Sequence, residues 1–268
     1  MLAVAPYVSP SLRALLTREG IGYADATGNF HLSLDKPALF IETMGADRDP
    51  WRDDQPLRSL RGAAAGRAVR AFCDFKPPYG IRELAERAGV PAPTLSRVAE
   101  LLERDGVLQR ERSRGPIVTL DWQAALRRWT QDYRFTQSNR TSNWLEPRGL
   151  PALLDKLRKA DLRAAITGSL AAYVIAPITV PRLAALYVER AEAAAQQLGL
   201  RRAEAGANVL LAEPCDAVAF ARGFERDGLP YTAYTQLTAD LLTGPGRWPA
   251  EGEAVLEWMQ ANEPIWRA

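Results

Sequence analysis

The stretch from Tyr79 to Gly106, YGIRELAERAGVPAPTLSRVAELLERDG, constrains the fold of this chain more than any other segment. Two amphipathic runs, about Arg82 to Ala88 and about Pro93 to Arg104, are separated by Gly89, a residue type that adopts the positive φ of a tight turn without strain. Pro93 suits the first helical position, where its missing N–H would be unpaired anyway. The spacing predicts a helix-turn-helix with a buried apolar stripe. That stripe consists of Leu84, Ala88, Val90, Leu95, Val98, Leu101 and Leu102.

The residues on either side complete a larger unit. Val107 to Thr119 alternates in polarity and turns at Ser113-Arg114-Gly115, a pattern that predicts a two-stranded hairpin. Leu57 to Phe75 is rich in alanine and arginine and predicts a supporting helix. Residues 51–120 are therefore predicted to be a winged helix-turn-helix. The charged, proline-broken segment from Gly45 to Leu57 is typical of a linker leading into it.

Charge favours a nucleic acid as the partner of this unit. Arg58 to Gly115 holds 12 Lys/Arg and 7 Asp/Glu, a local net charge of +5 in a chain of net charge +2. On the polar face of the second helix, Thr94, Ser96 and Arg97 are predicted to read base edges, with Arg97 placed for a bidentate contact to guanine. Four further arginines are predicted to bind phosphates. These are Arg104, Arg110, Arg112 and Arg114. A winged helix that contacts only proteins remains the alternative.

Composition narrows the class of protein. The chain has 47% hydrophobic and 25% charged residues, as globular proteins do, and no apolar run approaches the roughly 20 residues of a membrane span. A signal peptide is not expected, because no basic region precedes the short apolar start. Cys73 and Cys215 stand without partner motifs, so we expect free thiols, no zinc and no cofactor. These features predict a cytoplasmic, nucleoid-associated protein.

Residues 1–50 are predicted to be a small α/β unit. A helix over Ser9 to Glu19 precedes three short strands, and Gly28-Asn29 gives a hairpin turn between the first two strands. The order resembles restriction-endonuclease-like folds, with Asp25 and Glu42 as the acidic pair. Such nucleases need a Glu-x-Lys for metal-assisted hydrolysis, but Thr43 and Met44 follow Glu42. We therefore predict a degenerate nuclease-like unit, and His31 is predicted to be a strand residue without a catalytic role.

Residues 121–268 are predicted to be a third domain. LRAAITGSLAAY passes from a strand through Gly168-Ser169 to a helix, as in the nucleotidyltransferase fold. That chemistry needs two metal-binding carboxylates on the next strand, yet Leu183 to Val188 is apolar. A degenerate transferase-like domain is the prediction. Aromatic residues among arginines can stack on nucleic acid, but core packing is the preferred interpretation of four of them. These are Trp129, Tyr133, Phe135 and Trp144.

Several segments together resemble a known family. They are YVSPSLRALLTREGIGYADATGNFHL, the central helix-turn-helix, ITGSLAAYVIAPITVPRLAALYVE, GANVLLAEPCDAVAF and TQLTADLLTGPGRWPAEGEAVLEWM. In this order they resemble actinobacterial regulators related to AbiEi-type antitoxins of type IV toxin–antitoxin systems. The resemblance implies a DNA-binding repressor, often autoregulatory, whose nuclease-like and transferase-like parts have lost their chemistry. The better-known antitoxins carry the winged helix at the N-terminus, whereas here it is central.

Taken together, the sequence predicts a mixed α/β protein that is not an enzyme and regulates transcription by sequence-specific binding of double-stranded DNA. A homodimer is expected, since one winged helix reads only a few base pairs. Two alternatives remain open. One is an antitoxin that neutralises a toxin partner by direct contact, and the other is a metal-dependent nuclease or a nucleotidyltransferase.

Overall fold

The structure, a computed structural model, describes residues 1–50 and 57–268. The mixed α/β class is confirmed, and the chain divides into two compact units, residues 1–55 and 56–268. The predicted boundary near residue 120 lies inside the second unit, and residues 51–56 of the predicted linker lie outside the described residues. Within the described ranges, every helix is too short or too polar to cross a bilayer.

The N-terminal unit is a four-stranded sheet with one helix. Its elements are β1 (Leu2–Ala5), α1 (Pro10–Arg18), β2 (Gly22–Asp25), β3 (Phe30–Asp35) and β4 (Ala38–Thr43). The strands lie in this order; β1 is parallel to β2, and the other neighbours are antiparallel. Ser9 caps α1 by accepting a hydrogen bond of 3.4 Å from the Leu12 N–H. The sequence pattern does not predict β1, because a four-residue edge strand is defined only by its pairing with β2.

The C-terminal unit begins with helices and a hairpin. Its first elements are α2 (Ala63–Asp74), α3 (Ile81–Ala88), α4 (Ala92–Arg104), β5 (Leu108–Arg110), β6 (Ile117–Leu120), α5 (Trp122–Thr130) and α6 (Phe135–Ser138). The helix predicted from Leu57 starts later, at Ala63, because Gly62 has a φ of 85° and because Leu60 N–H is held by Asp132 at 2.8 Å instead of by a helical carbonyl.

A seven-stranded mixed sheet follows. The remaining elements are β7 (Arg140–Leu145), α7 (Leu150–Lys159), β8 (Ala164–Thr167), α8 (Gly168–Ile175), β9 (Ala184–Val188), α9 (Ala191–Leu198), β10 (Arg201–Arg202), β11 (Val209–Glu213), a 3₁₀ turn (Ala217–Phe220), β12 (Phe224–Arg226), β13 (Leu229–Tyr231), α10 (Tyr234–Thr243), α11 (Trp248–Ala261) and α12 (Glu263–Trp266). The strand order is β10-β7-β11-β9-β8-β13-β12, parallel at β11–β9 and β13–β8 and antiparallel elsewhere. Each residue of β8 and β9 is buried, as expected for central strands.

One continuous core joins the helical part to the sheet. Phe72 of α2, Leu101 of α4, Trp129 of α5, Leu186 of β9 and Leu241 of α10 belong to the same buried apolar cluster. The helix α10 packs against α2, α5, α8 and α11. The four aromatic residues that the sequence predicts to be core residues are at most 7% exposed, which confirms that interpretation.

Asp240 lies at the centre of this core and is fully buried. Its Oδ1 accepts hydrogen bonds from Tyr133 (2.7 Å) and from Gln236 (2.8 Å), and its Oδ2 accepts one from Thr167 (2.7 Å). The Tyr187 hydroxyl lies 2.9 Å from both oxygens. The carboxylate therefore links α10 to β8, β9 and the end of α5 through polar groups that burial would otherwise leave unsatisfied.

We predict a pH-dependent stability that traces to this residue. Burial raises the pKa of Asp240 to about 6, although its hydrogen bonds act to lower it. The folded chain thus binds a proton at Asp240 more tightly than the unfolded chain between about pH 4 and pH 6. The contribution of Asp240 to the unfolding free energy is therefore full below about pH 4 and is lost as the pH rises through 6. The loss is on the order of 3 kcal/mol of unfolding free energy.

Urea unfolding at pH 4 and pH 7 measures this effect in wild type and in Asp240→Asn. The variant lacks the titrating group, whereas other carboxylates with shifted pKa values, such as Asp25, titrate in both proteins. Wild type is expected to lose more stability than the variant over this range. Equal losses in the two proteins show that Asp240 keeps an ordinary pKa.

Candidate nucleic-acid interface

The turn between α3 and α4 is built as the sequence predicts. Gly89 ends α3 in the left-handed conformation (φ 64°), and Val90 N–H donates to the Ala85 carbonyl at 3.1 Å. At the other end of α3, the Gly80 N–H donates to the Glu83 carboxylate at 3.2 Å. The predicted stripe is buried in the shared core, except that Ala88 is only partly covered. The polar face of α4 is thereby left facing solvent.

A short hairpin of β5 and β6 lies beside the helix pair. Tyr79, just before α3, forms two backbone hydrogen bonds with Ile117 of β6, at 3.2 and 2.9 Å. The tip turns at Arg112 to Gly115, where the Gly115 N–H donates to the Arg112 carbonyl at 2.7 Å and Arg114 has a φ of 59°. Because the backbone turns here, the side chains of Arg112 and Arg114 are exposed at the tip.

The three predicted base-reading residues lie in the first half of α4. Arg97 is exposed and makes no hydrogen bond or ion pair with any described residue. Ser96 is half-buried, and its hydroxyl lies 3.3 Å from the Glu100 carboxylate. Thr94 is half-buried in the first turn. Arg97 is therefore the most available of the three donors.

The four predicted phosphate ligands fall into two pairs. Arg112 and Arg114 are exposed, and their guanidinium groups have no partner among the described residues. Arg104 donates to the Leu57 carbonyl at 2.6 Å. The side chain of Arg110 is only 6% exposed and lies 3.1 Å from the Glu103 carboxylate. Arg104 and Arg110 thus tie α4 to neighbouring segments, which the local sequence does not reveal because Leu57 lies 47 residues from Arg104 and Glu103 meets Arg110 only when the hairpin packs against α4.

An open groove of about 1040 Å³ runs between the start of α3, the outer face of α4 and the hairpin. Ser96 and Glu100 line it from α4, and Ser113 and Arg114 line it from the hairpin tip. Arg82, in the first turn of α3, also lines it and is exposed without a described partner. Sequence reasoning missed Arg82, because the groove that it lines forms only when α3, α4 and the hairpin pack together.

The carboxylates near the groove are largely neutralised within the fold. Glu83 caps α3 and lies 3.7 Å from Arg87, and Glu103 pairs with Arg110. Glu100 has only the Ser96 hydroxyl as a neighbour. Four exposed arginines without described partners lie in this part of the chain; two of them line the groove, and the other two adjoin lining residues in the sequence. Free guanidinium groups of this kind can bind a polyanion. The four are Arg82, Arg97, Arg112 and Arg114.

The acidic pair of the N-terminal unit is not assembled. Asp25 accepts hydrogen bonds from the backbone of Val8, Thr27 and Asn29 and from the side chains of the last two, at 2.6–3.1 Å. Glu42 lies on β4, with β3 between it and Asp25, and approaches His31 at 3.5 Å. Among the described residues no cluster of His, Cys, Asp or Glu is arranged to hold a metal ion. Asp25 organises the turn between β2 and β3.

The Gly168-Ser169 turn is occupied by protein side chains. The indole of Trp248 covers Gly168, and the Ser169 hydroxyl donates to the Glu251 carboxylate at 2.6 Å. The next strand, β9, has the apolar sequence AALYV. The turn therefore serves packing between α8 and α11 in this structure.

Comparison of the chain with models of known protein families, with curated proteins and with solved structures finds no match.

Proposed function

We propose that α2, α3, α4 and the hairpin form a winged helix-turn-helix that binds double-stranded DNA, and that the protein regulates transcription as a repressor or an antitoxin-like autoregulator. The observation that carries this proposal is the set of four exposed arginines without described partners, of which Arg82 and Arg114 line the groove and Arg97 and Arg112 adjoin its lining residues Ser96 and Ser113. They flank a helix whose apolar side is fully used by the core. A positive, solvent-facing helix of this kind fits a major groove.

In this proposal the first half of α4 enters the major groove. Arg97 donates to the O6 and N7 atoms of a guanine, and Ser96 and Thr94 contact neighbouring base edges. Ser96 exchanges its exposed hydrogen bond with Glu100 for one with DNA. Because only a few base pairs are read by one helix, a homodimer or paired sites supply the affinity of about 10⁻⁸ M expected of a regulator.

The hairpin tip contacts the phosphate backbone through Arg112 and Arg114, and Arg82 contacts it from the other side of the groove. Arg110 and Arg104 act through α4 rather than on phosphates. The first holds the hairpin against α4 through Glu103, and the second holds α4 to Leu57. Both keep the base-reading helix and the hairpin in one fixed arrangement.

The family resemblance is compatible with this function. Related actinobacterial regulators of the AbiEi type bind DNA, with nuclease-like and transferase-like parts that have lost their chemistry. The turn-forming role of Asp25 and the packed Gly168 support the same interpretation for those parts of this chain. Binding of a toxin partner is implied by the resemblance, whereas the groove gives no support for it.

Fluorescence anisotropy with the DNA upstream of the protein's own gene, and with a scrambled duplex of equal length, tests the proposal. The association constant should fall steeply between about 50 and 200 mM salt. Each phosphate contact contributes about −0.9 to the slope of the logarithm of this constant against the logarithm of the salt concentration. Replacing Arg112 and Arg114 together by alanine should weaken binding to both duplexes alike and reduce the slope by about 2.

An Arg201→Ala variant is the matched control for lost positive charge, since Arg201 is an exposed arginine on β10 at the edge of the large sheet. It should leave both the affinity and the salt slope unchanged. Absence of binding to either duplex at the lower salt refutes the proposed function. A slope that the double variant does not change refutes the role of the hairpin.

A second candidate function is neutralisation of a toxin by protein contact. The N-terminal unit favours it, because Leu34 of β3 and Leu39 and Phe40 of β4 are 42%, 39% and 63% exposed, and Leu34 pairs with Leu39 across the two strands. Exposed apolar side chains on one small sheet are typical of interaction surfaces. A pull-down with the neighbouring gene product in the absence of DNA separates this candidate from DNA binding.

A further inference from the structure

The C-terminal unit contains a cavity of about 450 Å³ that shares no lining residue with the groove. Its walls come from the start of α2, the end of α5, α6, β9, the segment after β11, and α10. A volume of this size suits a small organic molecule, whose pockets are usually 300–1,000 Å³ with aromatic walls and a few polar groups.

Two nearly buried side chains in the wall keep one polar group each without a partner. Trp129 is 3% exposed, and no described acceptor lies within hydrogen-bond distance of its Nε1–H. Gln236 is 4% exposed, and no described donor contacts its Oε1. A donor and an acceptor without protein partners that line one cavity can each bond to a molecule bound there.

The orientation of the Gln236 amide follows from its neighbour. Its Nε2 lies 2.8 Å from the carboxylate of Asp240, which only a donor can approach, so Oε1 is the free end of the amide. Two other buried polar side chains of the wall, Tyr133 and Asn139, are satisfied internally. The Tyr133 hydroxyl bonds to Asp240 and Asn139, and the Asn139 carbonyl accepts from the Cys215 N–H at 3.3 Å. Among the nearly buried side chains of the wall, Trp129 thus contributes an open donor and Gln236 an open acceptor.

We propose that this cavity binds a nucleobase or nucleoside, a ring compound whose edge accepts a hydrogen bond from Trp129 Nε1–H and donates one to Gln236 Oε1. Nucleobases carry both kinds of group on one planar edge. Trp129 and Tyr133, whose ring centroids are 4.9 Å apart, both line the cavity, so aromatic side chains adjoin the bound ring.

The site is placed to act on the helix pair. Gly62, Ala63 and Gly66 at the start of α2 form one wall, and α2 packs directly against α3 and α4. Occupancy of the cavity therefore stabilises the position of α2 and, through it, that of α4. Only this regulatory step rests on the proposed DNA binding, because binding of the ligand itself is measured without DNA.

Thermal unfolding of the full chain with adenosine, guanosine, inosine, cytidine and uridine tests the site, with calorimetric titration of any binder. At about 100 times its Kd, a nucleoside should raise the Tm by about 5–10 °C. Ala63→Leu fills the cavity from α2 and should abolish the shift. Ala64→Leu, one residue on, exposed and outside the lining, should retain it.

Trp129→Phe removes the donor while keeping an aromatic ring. It should weaken binding by about tenfold, the worth of one hydrogen bond of roughly 1 kcal/mol or slightly more. Trp122→Phe, at a buried tryptophan outside the lining, should bind as wild type. The proposal is overturned if no nucleoside shifts the Tm, or if Ala63→Leu or Trp129→Phe binds a nucleoside as tightly as wild type.

Discussion

Arg97→Ala should weaken binding to the specific duplex by about 5- to 150-fold, a loss of about 1–3 kcal/mol, and should leave binding to the scrambled duplex nearly unchanged. The reason is that Arg97 is exposed on α4 with no partner in the fold, so its donors are free for a base edge. Anisotropy titrations of both duplexes at one salt concentration measure the ratio of the two affinities. A guanine-by-guanine substitution of the specific site then identifies the base that Arg97 reads.

Two controls make this result interpretable. Arg201→Ala removes the same charge from the edge of the large sheet and should change neither affinity. The unfolding free energy of Arg97→Ala should match wild type within about 0.5 kcal/mol, because the residue is exposed and unpaired. Equal losses on the specific and the scrambled duplex would falsify the base-reading role and assign Arg97 to phosphate binding.

Gly168→Ala should lower the unfolding free energy by about 2–5 kcal/mol. Gly168 has a φ of 66°, a left-handed conformation that costs an alanine about 1–2 kcal/mol. A Cβ there would also lie 2.5 Å from Cζ2 of Trp248, which is buried and has its ring centroid 5.2 Å from that of Phe135. Overpacking of this kind adds about 1–3 kcal/mol. Urea unfolding followed by circular dichroism measures the change.

Gly199→Ala separates the two contributions. Gly199 has nearly the same φ, 62°, but the nearest atom to its Cβ position is Nζ of Lys156 at 3.6 Å, an ordinary van der Waals contact. It should therefore show the backbone penalty alone. In a Trp248→Leu background, the effect of Gly168→Ala should shrink toward that of Gly199→Ala. If Gly168→Ala is no more destabilising than Gly199→Ala, the indole does not constrain this turn.

Much of the helical architecture was predictable from local signals. Gly89, the proline at the start of α4 and the apolar spacing are local, so they predict α3 and α4 to within a residue. The strands β2, β3, β4, β8 and β9 were predicted for the same reason. By contrast, β7 and α7 were not predicted. The β7 sequence, RTSNWL, has no strict alternation, and this strand is defined by its pairing with β11.

The candidate site was only partly predictable. Exposure of Arg97, Arg112 and Arg114 follows from helical and hairpin periodicity, which a sequence displays directly. The partners of Arg104 and Arg110 are Leu57 and Glu103, which lie 47 and 7 residues away. Charge counting treats every arginine as available, so it overstates the number of free phosphate ligands. Arg82 was overlooked because the groove that it lines exists only once α3, α4 and the hairpin are packed.

The sequence by itself determined the mixed α/β class, the helix pair with its turn at Gly89, and the absence of carboxylates from the strand Ala184–Val188. These depend on short-range spacing and on the conformational preferences of single residues. Only the tertiary structure decided which arginines are free, how Asp240 is satisfied, and that Trp129 and Gln236 meet at one cavity. The latter two residues are more than a hundred positions apart, and only the packing of α5 and α10 into one core brings their side chains together.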